Sequence, residues 1–112
     1  MMDQLTDISL IQRLAQGDRT AFSSLYDRYG LSLYHLSERL ALEMEEREEI
    51  IAAVFLRIEQ YASAYQPDRT SVGEWMLLHW KHCACAHLNN RRRERAAVQS
   101  SGKQNPYLMV YG

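Results

Sequence analysis

Apolar side chains recur along this chain at intervals of three and four: Ile8, Ile11 and Leu14, then Phe22, Leu25, Tyr26 and Tyr29, then Leu33, Leu36 and Leu40. That spacing places them on one face of a helix, and nowhere does the strict alternation of a half-buried strand appear. Gly17 is a natural helix stop, and Asp18 stands where a helix start wants an accepting side chain. The pattern predicts a first helix ending at Gly17, a second from Asp18 to Gly30, and a third over 31–42. A fourth opens in the acidic run Glu43, Glu45, Glu46, Glu48 and Glu49, where negative charge favours a helix N-terminus. Its core stripe is Ile50, Ile51, Val54, Phe55, Ile58 and Tyr61, with Glu48, Glu49, Ala52, Arg57 and Glu59 turned away from it. Residues 65–71 hold a proline among polar residues and read as a loop. Ser71 with Glu74 then forms a capping box opening a fifth helix over 72–94. From Ala96 the periodicity fades into a linker or frayed end, followed by an apolar segment, Tyr107 to Tyr111, able to dock on something. The expectation is an all-α, compact bundle of about four to five helices with a flexible C-terminal tail, the domain taking 1–95 and the tail 96–112.

Composition supports one globular domain: 112 residues, 46% hydrophobic and 24% charged. A chain of this size can bury roughly two-thirds of its unfolded surface, so neither metal nor disulfide is needed for a core. The longest apolar run, Ile50 to Leu56, is far below the ~20 residues of a membrane span. The acidic, polar start Met1-Met2-Asp3-Gln4 is unlike a signal peptide. Cys83 and Cys85 lie two apart, on different sides of a helix, and cannot pair; reduced thiols fit the cytoplasm.

The net charge of −1 conceals an asymmetry. Residues 1–60 carry 11 acidic and 6 basic side chains, whereas residues 61–112 carry 3 and 7. A basic end of this kind hints at nucleic acid or a membrane surface.

No glycine-rich phosphate loop or nucleophile–base spacing occurs, so the sequence does not read as an enzyme and implies no cofactor. The segment from Trp75 to Arg95 is the richest. Wound as a helix, it gathers Met76, Leu77, Trp80, Ala84 and Leu88 on one face and Trp75, His79, His82 and Ala86 on the opposite, less core-like one. Exposed rings followed by Arg91, Arg92, Arg93 and Arg95 combine stacking surface with phosphate contacts, the ingredients of single-strand binding. The same residues also fit a plainer reading, in which Trp75 is a buried staple and the arginines favour a helix C-terminus. His79, Cys83 and His87 share one stripe at i, i+4 spacing, but a zinc site draws four ligands from two elements and no second Cys/His pair exists. The expectation is no metal, with these three as the candidate ligands and His35 as the only other residue that could join them.

The order of features resembles a known family. Leu10 to Phe22 (Leu-Ile-Gln-Arg-Leu-Ala-Gln-Gly-Asp-Arg-Thr-Ala-Phe) and Leu25 to Gly30 (Leu-Tyr-Asp-Arg-Tyr-Gly) are similar to the opening of region 2 in extracytoplasmic-function (ECF) sigma factors of bacterial RNA polymerase. Glu48 to Arg57 is similar to that region's second conserved helix, Tyr65 to Arg69 to the loop after it, and Trp75-Met76-Leu77 with the arginine run to its DNA-facing helix. The likeness covers residues 8–95 in register.

This resemblance implies a helical domain that docks on the clamp helices of the polymerase largest subunit and recognises and melts the promoter −10 element. By position, Glu48, Glu49, Ala52 and Leu56 would face the clamp. Gln66, Asp68 and Arg69 would line a loop that captures an unstacked base of the non-template strand. Trp75, Lys81, His82, Arg91, Arg92 and Arg93 would meet DNA. An anti-sigma factor is a further implied partner. The chain departs from the family pattern where Ala52 replaces the usual glutamine, Glu49 an aspartate, His82 an asparagine and Ala86 an aspartate, with Asn89 and Asn90 at usually basic positions. These departures keep open a second expectation, a sigma-like protein-interaction module that has lost promoter melting. The length accommodates one region 2 without the second helical domain that reads the −35 element.

Overall fold

The computed structural model describes residues 6–104, and among these it contains four α-helices and no strand. They are α1 (Asp7–Ala15), α2 (Arg19–Ser37), α3 (Met44–Tyr61) and α4 (Val72–Gln104), with 3-10 turns at Glu38–Leu40 and Ala62–Ala64. The all-α bundle expected from the pattern is therefore what the chain forms.

Local chemistry starts each helix where the sequence places it. Thr6 accepts from the Ser9 backbone N–H at 3.1 Å and caps α1. Gly17 takes φ 90, a left-handed turn that strains any other residue, and Asp18 caps α2 by accepting from Thr20 N at 2.9 Å. Glu43 and Glu46 form a reciprocal capping box on α3, as Ser71 and Glu74 do at the start of α4.

The expected break at Gly30 does not occur. Helix α2 runs through it, and the ring of Tyr26 packs over the bare glycine, only 3.2 Å from where a Cβ would stand. A mid-helix glycine weakens a helix by about 1 kcal/mol relative to alanine, which tertiary packing overrides here. The separate helix over 31–42 is thus replaced by the second half of α2, a 3-10 turn and Ala41 in the left-handed conformation, φ 55. At the other end, α4 does not stop near residue 94 but continues to Gln104, since Arg, Glu, Ala and Gln are strong helix formers. The segment Tyr107 to Tyr111 lies outside the described residues.

The core lies between α1, α2 and α3 with the first half of α4 closing it. Leu10, Ile11, Leu25, Ile50, Val54, Phe55, Ile58 and Met76 are essentially inaccessible. Phe55 is the hub, with Phe22 edge-on at 5.9 Å between ring centroids and Tyr26 tilted at 4.9 Å. Trp80 donates its indole N–H to the fully buried Ser37 hydroxyl at 2.8 Å, and that hydroxyl donates to the Leu33 carbonyl at 2.9 Å. Both polar groups are thereby satisfied inside the core.

Two core assignments change. Tyr61, at the end of α3 and the edge of its stripe, is exposed, its ring stacked on His79 and covered by Arg57. Leu77 is exposed, whereas His79, expected on the open face of α4, is buried. The burial arc of α4 is Val72, Met76, His79, Trp80, Cys83 and Ala84, rotated toward His79 because that ring finds Arg57 as a hydrogen-bond partner.

Candidate nucleic-acid and protein interface

Helix α3 presents two unlike sides. With Ile50, Ile51, Val54, Phe55 and Ile58 committed to the core, the residues about half a turn away are left exposed. Glu48, Glu49, Ala52 and Leu56 are all exposed on that side, and Leu56 keeps 57% of its surface open. The four residues expected to face a protein partner therefore share one surface. A groove of 480 Å³ runs along it toward α2, floored by Gly30, Ile51 and Ala52 and flanked by Tyr26 and Leu31. A second groove, of 350 Å³, lies toward α4 between Leu56, Arg57 and Gln60 on one wall and His82, Ala86 and Asn90 on the other.

The loop over 65–71 is pinned from both sides. Tyr65 is buried, packs its ring 5.0 Å from Trp75 and donates its hydroxyl to the Thr70 carbonyl at 2.8 Å. Gln66 accepts the Arg69 N–H at 3.0 Å, which closes the turn and leaves Gln66, Asp68 and Arg69 exposed. Between this loop, the start of α1 and the first turn of α4 is a cleft of 600 Å³ lined by Asp7, Tyr65, Asp68, Arg69 and Ser71. Tyr29, which donates to Asp7 beneath it, has its phenol pushed up to about 12 by burial and by that carboxylate.

On α4 the expected DNA-facing residues do not share one side. Trp75 is half-buried, so the reading of it as a packed staple applies to much of its ring. Lys81 and His82 are exposed but about a quarter-turn apart. Arg92 and Arg93 are exposed, whereas the Arg91 Nε lies 3.5 Å from Glu46 of α3. His87 joins that contact, its Nε2 3.1 Å from Glu46 and its Nδ1 4.0 Å from Glu49. Hydrogen bonds from the Glu43 backbone N–H and His87, with the nearby Arg91 charge, hold the Glu46 carboxyl below the usual range.

The three candidate metal ligands each have other surroundings. His79 accepts from Arg57 Nε at 3.0 Å, Cys83 is buried with its thiol pushed up by desolvation, and His87 faces the glutamates. No group of three or more His, Cys, Asp or Glu among the described residues is placed to hold a metal ion. No helix among them is long and apolar enough to cross a membrane.

Sequence reasoning missed the Arg57–His79 hydrogen bond and the Glu46–His87–Arg91 contact. Both join residues far apart in the chain, and no periodicity relates them. The pinning of the loop by Tyr65 was missed too, although an aromatic residue just before a proline loop and near Trp75 was a usable signal.

Comparison with known proteins finds the chain similar over about 90% of its length to proteins named ECF RNA polymerase sigma factor SigK. The SigK of Mycolicibacterium vanbaalenii is 27% identical over 99 residues, 88% of this chain and 47% of the relative. That of Mycobacterium ulcerans is 27% identical over 99 residues, covering 88% and 50%, and that of Mycobacterium sp. strain KMS over 103 residues, covering 91% and 50%. The chain spans about half the length of the curated relatives it matches. No protein-family model matches it, and no solved structure gives a significant match.

Proposed function

We propose that this chain is a transcription-initiation module that binds core RNA polymerase through α3 and contacts promoter −10 DNA through the 65–71 loop and α4. Similarity to sigma factors supports the general role. The observation that carries the reading is the open side of α3, where Glu48, Glu49, Ala52 and Leu56 lie exposed together. That side is acidic with an exposed leucine and suits a protein groove; the exposed polar loop at the start of α4 and the exposed Arg92 and Arg93 far along it supply separate contacts that suit nucleic acid.

In this reading Glu48, Glu49, Ala52 and Leu56 meet the clamp helices of the largest subunit. Asp68 and Arg69 line the cleft in which a base drawn out of the non-template strand is held, with Gln66 exposed beside them and Tyr65, backed by Trp75, as its aromatic residue. Unstacking a base costs a few kcal/mol, which contacts in such a cleft would offset. Lys81, His82, Arg92 and Arg93 anchor the backbone, and Arg91 contributes from the contact with Glu46. An anti-sigma factor would compete for the α3 face. The module takes residues 1–95, with 96–112 as a linker or tail whose first part continues α4 to Gln104, and its place of action is the cytoplasm.

The test is assembly with core polymerase and a non-template −10 oligonucleotide. A ternary complex at low salt is expected, with an oligonucleotide affinity that falls with salt and a shallower slope when Arg92 and Arg93 become alanine. Absence of polymerase association at low salt overturns the proposal. Polymerase association with a salt-insensitive, arginine-independent oligonucleotide affinity would instead favour the protein-interaction reading that Ala52, His82 and Ala86 motivate.

A further inference from the structure

Two surfaces of this molecule are joined by an unbroken line of contacts that neither of them needs for its own exposure. It begins at Arg57 on α3, beside Leu56, where the guanidinium lies over the Tyr61 ring at 4.7 Å and Nε donates to His79 Nδ1 at 3.0 Å. The His79 ring meets Trp75 edge-on at 4.5 Å, Trp75 packs on Tyr65 at 5.0 Å, and the Tyr65 hydroxyl holds the Thr70 carbonyl of the loop at 2.8 Å. A histidine at 9% exposure in an aromatic setting would be costly without a partner, and a leucine there would fill the space without reaching Arg57. Because Nδ1 accepts, the ring proton sits on Nε2 and the imidazole is neutral.

We infer that His79 is a positioning residue through which α3 sets the conformation of the 65–71 loop. Arg57 supplies the fixed donor that orients the imidazole, and the imidazole fixes the edge of Trp75 against which Tyr65 and the loop are seated. A carboxylate on a protein docked along α3 can compete for the Arg57 guanidinium, so occupancy of that face biases the loop. Coupling of this kind requires no movement of the helices themselves, only a change in which group Arg57 serves.

The inference rests on the two-surface reading above, but its test uses the free chain and needs neither polymerase nor DNA. Trypsin needs an extended segment, so its rate after Arg69 reports opening of the turn that the Arg69 N–H and Gln66 carbonyl close and Tyr65 pins, while cutting after Arg92 and Arg93, farther along α4, serves as an internal reference. His79→Leu and Arg57→Met should each raise the cleavage rate after Arg69 about fivefold, the size of one net hydrogen bond. The double variant should be no faster than either single one, since both remove the same link. His79→Asn, whose amide oxygen can accept in place of Nδ1, should stay within about twofold of the original, and nitrogen NMR should show the His79 proton on Nε2. Wild-type cleavage rates in both single variants, or rates that multiply in the double variant, overturn the inference. Should His79→Leu fail to fold, Arg57→Met against His79→Asn decides the matter alone. A −10 oligonucleotide should bind about fivefold more weakly to Arg57→Met than to the original chain. If no variant binds it while the cleavage pattern holds, the DNA reading fails and the positioning role stands.

Discussion

Helices α3 and α4 lie against each other, yet they leave unlike surfaces free. Helix α3 is seated by aliphatic and aromatic burial around Phe55, and its opposite side is left bare. Helix α4 is seated in both ways, by burial of Val72, Met76, Trp80, Cys83 and Ala84 and by pairings: Trp80 with Ser37, His79 with Arg57, His87 and Arg91 with Glu46. From Arg92 to Ala97 every residue is exposed. The exposed Glu48, Glu49, Ala52 and Leu56 of α3 share one side and can meet one partner surface. The exposed groups of α4 are distributed around its axis, which suits contacts to a curved, charged backbone.

The largest effect that separates the two modes is at Phe55. Replacing Phe55 with alanine should destabilise the fold by about 3–5 kcal/mol, read by thermal or urea denaturation. A loss below that of any α4 variant would break the comparison. Next is Trp80→Phe, which keeps the ring but strands the Ser37 hydroxyl without its donor and opens a small gap; a loss of about 1–3 kcal/mol is expected in the same measurement. Ser71→Ala removes the side chain that accepts from the Glu74 N–H at 3.1 Å and should cost about 1 kcal/mol. A smaller effect still, and specific to α2, is set by pH. The Thr20 hydroxyl and Arg13 hold the Asp18 carboxyl at about 2, below its ordinary 3.8. A depressed acid stabilises the fold above its unfolded value and loses that contribution as pH falls from about 4 toward 2. Melting temperatures over that interval should fall less steeply for Asp18→Asn than for the original chain.

The halves of the molecule also differed in how much of them could be read beforehand. Helix α3 was legible in all of its stripe but the last member, Tyr61, because Ile50, Ile51, Val54, Phe55 and Ile58 have one stable way to face a core. The break expected at Gly30 was misplaced because a glycine signal is local, and the ring of Tyr26 lying over it is not. On α4 the face was turned wrongly, with Leu77 taken as buried and His79 as open. Hydropathy ranks leucine above histidine; it has no knowledge that Arg57, 22 residues away, satisfies the imidazole. Part of the α3 surface, Glu48, Glu49 and Ala52, was visible in the pattern as what the stripe leaves over; Leu56 entered only through the family resemblance, and Arg57 and Glu59, expected with them, are half-buried and paired. The assembly of the loop was not, since it depends on Tyr65 reaching both Trp75 and Thr70.

The central claim is that the bare face of α3, and not the arginines of α4, binds core polymerase. It is tested most directly by measuring core-polymerase affinity in the absence of DNA for Leu56→Arg beside the Arg92→Ala/Arg93→Ala double variant. Leu56→Arg should lose at least about tenfold, as expected for charge placed at a buried contact, while the double arginine variant keeps the original affinity. Equal affinities for all three proteins, or a loss confined to the arginine variant, would contradict it.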